Sequence, residues 1–157
     1  MRRLPGVEGM TSLLDLGRRD FAPPEAPARA HFLWEELAHL WDSNDLAAAH
    51  DWINERWSRL IRNSVAGQMD PEAQFLQALA YAVLALYFTQ NANQEGAVLM
   101  IDDAVIALNR FRPGFLGVRV DPIIGTLQEL RPLLAGLAPD AECPLWPFVY
   151  NKFEYSR

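Results

Sequence analysis

The stretch "DPEAQFLQALAYAVLALYFTQ", Asp70 to Gln90, constrains the fold more than any other part of the chain. Asp70-Pro71-Glu72 is a strong helix start: a side chain able to cap free amides, a proline whose missing N–H costs nothing in the first turn, and an early carboxylate that suits the positive helix end. The spacing predicts a helix over 71–89. Apolar residues go all the way round it, so it must be covered on several sides rather than lie on a surface. Ala78, Ala82 and Ala85 form a small-residue strip against which another helix can pack closely. The apolar run Phe75 to Phe88 is too short to span a bilayer, which takes about 20 residues. A central core helix is the reading, with no membrane partner.

Four further helices are available to cover it. The first is read from Ala28 to Asp42, after "APPEAP", whose prolines cannot continue a helix backwards. "DSND" is expected to turn the chain through its own polar side chains. The second helix then runs from Leu46 to Val65. Asn93 is expected to cap a fourth, Gln94 to Arg110, and Asp121-Pro122 to repeat the cap-plus-proline start for a fifth, ending near Leu134. "FLGVRV" alone is strand-like, and it is too short and isolated to build a sheet.

On each helix the apolar residues fall on one side at about 100° per residue. Leu33, Trp34, Leu37, Leu40 and Trp41 line the first, opposite His31, Glu35, His39 and Asp42. Ala97, Val98, Ile101, Ala104, Val105 and Leu108 line the fourth. Ile123, Ile124, Leu127, Leu130 and Leu134 line the fifth. The expected fold is all-α, a single-domain bundle of about five helices around residues 71–89. Residues 1–26 are read as an irregular N-terminal segment, 27–135 as the bundle, and 136–157 as an aromatic, proline-containing tail. With Trp146, Phe148, Tyr150, Phe153 and Tyr155 in ten residues, that tail is expected to pack on the bundle or on a partner subunit.

A length of 157 residues with 50% hydrophobic residues suits one domain. The net charge of −6 and the single lysine, Lys152, argue against a nucleic-acid partner, which would need clustered cations. The N-terminal "MRRLPGVEGMTSLLDLG" lacks a sustained apolar core for a signal peptide, so a cytoplasmic setting is expected. Cys143 is the only cysteine, which leaves no intrachain disulfide and no cysteine metal cage. No cofactor is expected.

Two polar groups can carry chemistry. His31, Glu35 and His39 share a face at i, i+4 and i+8, a row of metal-ligand types. The two histidines stand about 12 Å apart along the axis, so one ion can take only a neighbouring pair. The second group surrounds "AAAHDWINERW", Ala47 to Trp57. Leu46, Ile53, Trp57, Leu60 and Ile61 form the apolar face, with His50 and Asn54 in the same sector and Asp51 and Glu55 on the flank. A buried imidazole needs a partner, since leaving it unpaired costs about 1 to 3 kcal/mol. Asn54, Gln77 and Tyr81 are the residues expected to supply one, as a network that sets the helix register. The alternative is a small polar pocket in which His50 is a general base or metal ligand, oriented by Asp51 or Glu55. Glu55 is also expected to pair with Arg59 on the rim.

"AAAHDWINERW", "FLQALAYAVLALYF", "NQEGAVLMIDDAVIALNRF" and "GFLGVRVDPIIGTLQEL", in that order, resemble the small helical proteins of domain-of-unknown-function family number 309. The family pattern reads AHE-x-x-E-x-x-W, FLQG-L-x-x-A, a Gly-Ala helix start and an FLG turn before the last helix. The resemblance covers about residues 36–134. Ala49, His50 and Trp57 match its first motif, with Asp51 in place of glutamate and Asn54 in place of the second acid. Phe75, Leu76 and Gln77 match the second, with Ala78 in place of glycine. Gly96, Ala97, Phe115, Leu116 and Gly117 match the remainder. It implies an all-helical fold with a polar cluster at the histidine, and it brings no activity. The neutral Asn54 weakens any site that needs two carboxylates beside a histidine.

The expected function is therefore a non-enzymatic binding or scaffold domain, acting on an unknown protein partner or by self-association as a homodimer. The alternative is a small metal-dependent or hydrolase-like enzyme centred on His50 and Asp51.

Overall fold

The computed structural model describes residues 25–138, 141 and 152–156, with side chains from Trp34 onward. It is an all-α bundle of five helices: α1 (Glu25–Asp42), α2 (Leu46–Asn63), α3 (Pro71–Gln90), α4 (Gln94–Asn109) and α5 (Asp121–Ala135). The N-terminal segment 1–24, Cys143 and the aromatic residues Trp146, Phe148 and Tyr150 lie outside the described residues. Among the described residues no helix is long and apolar enough to cross a membrane.

Helix α3 occupies the centre, as the pattern of its residues requires. Ten of its side chains are buried, among them Phe75, Leu76, Leu79, Val83 and Leu86 and the three strip alanines. Contact with water is kept mainly along a strip from Gln77 through Tyr81 and Leu84 to Phe88, beside half-buried Ala80 and Tyr87, and at the two ends of the helix. The start of α3 is tied to the end of α2. Asp70 accepts the Glu72 amide at 2.9 Å on one carboxylate oxygen and the Ser64 hydroxyl at 2.9 Å on the other. Ser64 is the residue that closes α2, and Glu72 in turn accepts Arg56 of α2 at 2.7 Å. One acidic cap thus fixes both the helix start and the α2–α3 joint.

The other turns differ in how they are closed. Asn93 caps α4 as expected, accepting the Gly96 amide at 3.0 Å, and a Cβ on Gly96 would crowd that same side chain. Asp121 does not cap α5. Val120, which precedes it, is already helical (φ −86°, ψ −35°), so the extended cap geometry seen at Asp70 does not form; the Asp121 carboxylate instead takes Arg112 at 2.7 Å. In the α1–α2 turn Asp45 makes no side-chain cap bond. Ser43 donates its hydroxyl to the His39 and Leu40 carbonyls, closing the end of α1 rather than the start of α2.

The strand-like "FLGVRV" does form strands, if minimal ones. Gly114–Phe115 (β1) pairs antiparallel with Val118–Arg119 (β2) across a two-residue turn. Leu116 and Gly117 both have positive φ, 51° and 84°, the backbone that a right-twisted two-residue hairpin demands. Gly114 is required there too, since a Cβ would lie 2.6 Å from the Val118 carbonyl oxygen. The expectation of isolation fails because the tail supplies the missing neighbour. Arg119 donates to the Glu154 carbonyl at 2.9 Å, Ser156 to the Gly117 carbonyl at 2.7 Å, and Val118 bridges Tyr155.

The returning tail is held to α1 through Phe153. Its ring is 1% exposed, 5.0 Å from Trp41 and 5.9 Å from Trp34 between ring centroids. Its amide donates to Asp42 at 2.7 Å. Trp34 reaches the other side, donating its indole N–H to the Leu116 carbonyl of the hairpin turn at 2.9 Å. Helix, hairpin and tail therefore share one aromatic cluster, and residues 152–156 lie on the bundle.

Helix α5 runs antiparallel along α4 and is clamped to it by a two-bonded ion pair, Arg131 to Asp102, at 2.6 and 2.9 Å. The hydrogen bonds from Arg131 hold the Asp102 carboxyl below its ordinary range.

Two outcomes test this packing. Phe153→Ala should destabilise the fold by about 3 to 5 kcal/mol, read as a shift in the urea midpoint, because it empties an aromatic site and releases the tail. The Asp102–Arg131 pair stabilises only where Asp102 is ionised, so its contribution is complete above the unfolded carboxyl pKa of about 3.9 and disappears as pH falls through the lower folded value. Asp102→Asn should therefore narrow its deficit against the wild type in urea melts taken progressively below pH 4, and an unchanged deficit there would show that the pair is not formed.

Candidate functional site

The residues singled out around His50 do not converge. The buried face of α2 is set by Leu46, Ala49 and Ile53. At 100° per residue His50 lies about 70° from the centre of that stripe and Asn54 about 105° from it. His50 is accordingly half-buried and Asn54 exposed, rather than both facing the core. Among the described residues His50 makes no hydrogen bond. Gln77 bonds Tyr81 at 2.9 Å within α3, and neither reaches across to α2. The expected buried network is thus not formed: His50 is half-buried, and Asn54 and Gln77 are exposed. Asp51 and Glu55 are exposed; Glu55 meets Arg59 at a loose 3.8 Å, the rim pair its spacing suggests. Trp57 is half-buried against the core.

The other row fares differently. The His31 side chain lies outside the described residues, but Glu35 and His39 both line a cleft of about 720 Å3 between α1 and the returning tail. Asp42 completes their side of it. The opposite wall comes from Arg119 on β2 and from Lys152 through Ser156. Two of these groups are already engaged: Arg119 pairs with Glu154 at 3.0 Å, and Asp42 accepts the Phe153 amide. Glu35, His39 and Lys152 are exposed. The floor is apolar, made by Ala38 and Phe153.

Helical and strand geometry explain why these residues meet. Glu35, His39 and Asp42 follow one another at i, i+4 and i+7, so they share a side of α1 one turn apart. On the tail, Lys-Phe-Glu-Tyr alternates as a strand does, sending Phe153 into the aromatic cluster and leaving Lys152 and Glu154 at the rim. The cleft carries both signs of charge, three carboxylates against an arginine and a lysine, with the His39 imidazole beside them. Among the described residues no three His, Cys, Asp or Glu side chains stand close enough together to hold a metal ion.

Reading the chain alone placed Glu35 and His39 on the right face and missed Asp42's neighbours Arg119, Lys152 and Glu154. The signal for the last two was available in the K-F-E-Y alternation of residues 152–155. Nothing local marks Arg119, whose place depends on the hairpin. Compared with known proteins, the chain matches no family model, no curated protein and no solved structure.

Since His50 has no hydrogen bond to lose and is half open to water, His50→Ala should change stability by no more than about 0.5 kcal/mol in urea unfolding. A loss of 2 kcal/mol or more would restore the buried-network reading.

Proposed function

We propose that the protein is a non-enzymatic helical binding domain whose ligand sits in the cleft between α1 and the tail. One observation carries this reading: a cleft of about 720 Å3 gathers charges of both signs from residues 35–42, 119 and 152–156, segments far apart in sequence, over an apolar floor. Seven of the ten residues lining the cleft are polar, which suits a ligand that is itself charged rather than an apolar one. Glu35 and Asp42 on one wall and Lys152 on the other suit a ligand with separated charges of its own, such as a short zwitterionic peptide. The resemblance to family number 309 supports the reading only through the all-helical fold it implies. The acidic balance of the chain fits a partner other than nucleic acid, and its single cysteine fits a cytoplasmic setting.

The test is an amide NMR titration of the full chain with a mixture of zwitterionic dipeptides and tripeptides. Shifts should concentrate on residues 35–42, 119 and 152–156. Lys152→Glu should weaken the binding severalfold, about 1 kcal/mol for one solvated charge contact. Shifts centred instead on His50 and Tyr81, or binding indifferent to Lys152→Glu, would remove the cleft from consideration.

A further inference from the structure

Half of the residues lining the α1–tail cleft belong to one short segment, Lys152 through Ser156. That segment is fastened at few points. Phe153 is the only one of the five that is buried, and its amide bond to Asp42 ties it to α1. Two backbone bonds tie it to the hairpin, from the Arg119 amide to the Glu154 carbonyl and from the Ser156 amide to the Gly117 carbonyl. The Arg119–Glu154 ion pair that joins them is 65% exposed on the arginine side. Helix α3, by contrast, holds ten buried side chains. Stretches with so few buried contacts open below the free energy of global unfolding.

The groups that fasten the tail are not those left for a ligand. Asp42 and Arg119 face the cleft already engaged with the tail. Glu35 and His39 on α1 and Lys152 on the tail line the same cleft and have no side-chain partner among the described residues. A ligand whose two charges meet Glu35 and Lys152 therefore spans from α1 to the tail. It finds both partners only while the tail is docked, and with the tail away it keeps the α1 half alone. A ligand that binds one of two states better draws the population toward that state.

We infer that residues 152–156 form a strap, which docks and undocks as a unit on a bundle that stays folded, and that a zwitterionic peptide in the cleft locks it down. The locking rests on the binding reading given above.

The test is amide hydrogen exchange of the full chain, read by NMR. Without peptide, the Arg119 and Ser156 amides, which bond across the seam between hairpin and tail, should exchange at least about tenfold faster than those of Leu79 and Val83 in the core of α3. The mixture of zwitterionic dipeptides and tripeptides is then added until the cleft resonances have moved about nine-tenths of the way to their plateau. Exchange at Arg119 and Ser156 should slow about tenfold, because roughly one molecule in ten is then unliganded and able to open. Equal exchange of seam and core amides without peptide overturns the inference, since the tail then does not open by itself. Unchanged seam exchange beside shifted cleft resonances makes the tail a fixed wall and overturns it too, with the binding reading intact. Faster seam exchange makes the tail an occupant that the peptide displaces, and overturns it likewise. Absence of any cleft shift removes the binding reading and this inference with it.

Discussion

Everything in this molecule is arranged around the cost of leaving α3 in water. A helix with one apolar stripe needs one neighbour; α3, with ten buried side chains distributed round its axis, needs several. Helix α4 covers it most extensively and α2 next, while Phe111 and Phe115 close on Phe75 near its first turn at 5.1 and 5.0 Å. Each large side chain withdrawn from water contributes on the order of 1.5 to 3 kcal/mol, which no surface ion pair in the structure approaches. The ion pairs therefore choose among packings that the apolar residues already favour. Arg56–Glu72 and Arg131–Asp102 illustrate this, each fixing the slide of one helix along another.

Covering α3 leaves α1 at the margin of the bundle, packed on α2 and the hairpin and reaching the central helix through Trp34, whose ring meets Phe75 edge-on at 6.0 Å. The tail resolves that. Phe153 inserts between Trp34 and Trp41, the Trp34 indole bonds the hairpin turn, and the tail backbone pairs with β2. The same five residues that complete the core at Phe153 build the wall of the cleft with Lys152 and Glu154. Core packing and the cleft wall are thus supplied by alternate residues of one extended segment, a direct consequence of the two-residue period of a strand.

The helices were legible because each rests on chemistry contained within it: the Asp70 cap and Pro71, the Asn93 cap, the 3.6-residue spacing of Leu and Ala. Their ends were less so. Asp121 has the same sequence signal as Asp70, and it fails as a cap because Arg112, nine residues earlier, claims its carboxylate while Val120 is drawn into the helix. His50 was misplaced by less than 70° of helix rotation, since Trp57 and Ile61 pulled the inferred apolar centre toward it while the structure centres the face close to Ile53. The hairpin and its pairing with the tail escaped because neither is stable alone; a two-residue strand exists only when a third segment, 35 residues downstream, pairs with it.

The surface clefts follow the same division. Glu35, His39 and Asp42 could be grouped by helical spacing, yet three residues on one exposed helix face are ordinary. They become a cleft only when Arg119 and the tail stand opposite, and that opposition depends on Phe153 being buried between two tryptophans. The groove between α4 and α5 is likewise invisible from α4 alone, where Leu99 and Ile106 read as stray apolar residues. It becomes a groove because Arg131, one turn before the end of α5, grips Asp102 and holds the two antiparallel helices together, with one hollow beside Leu99 and another beside Ile106. In both places the residues that face open space are set by others that touch only the protein.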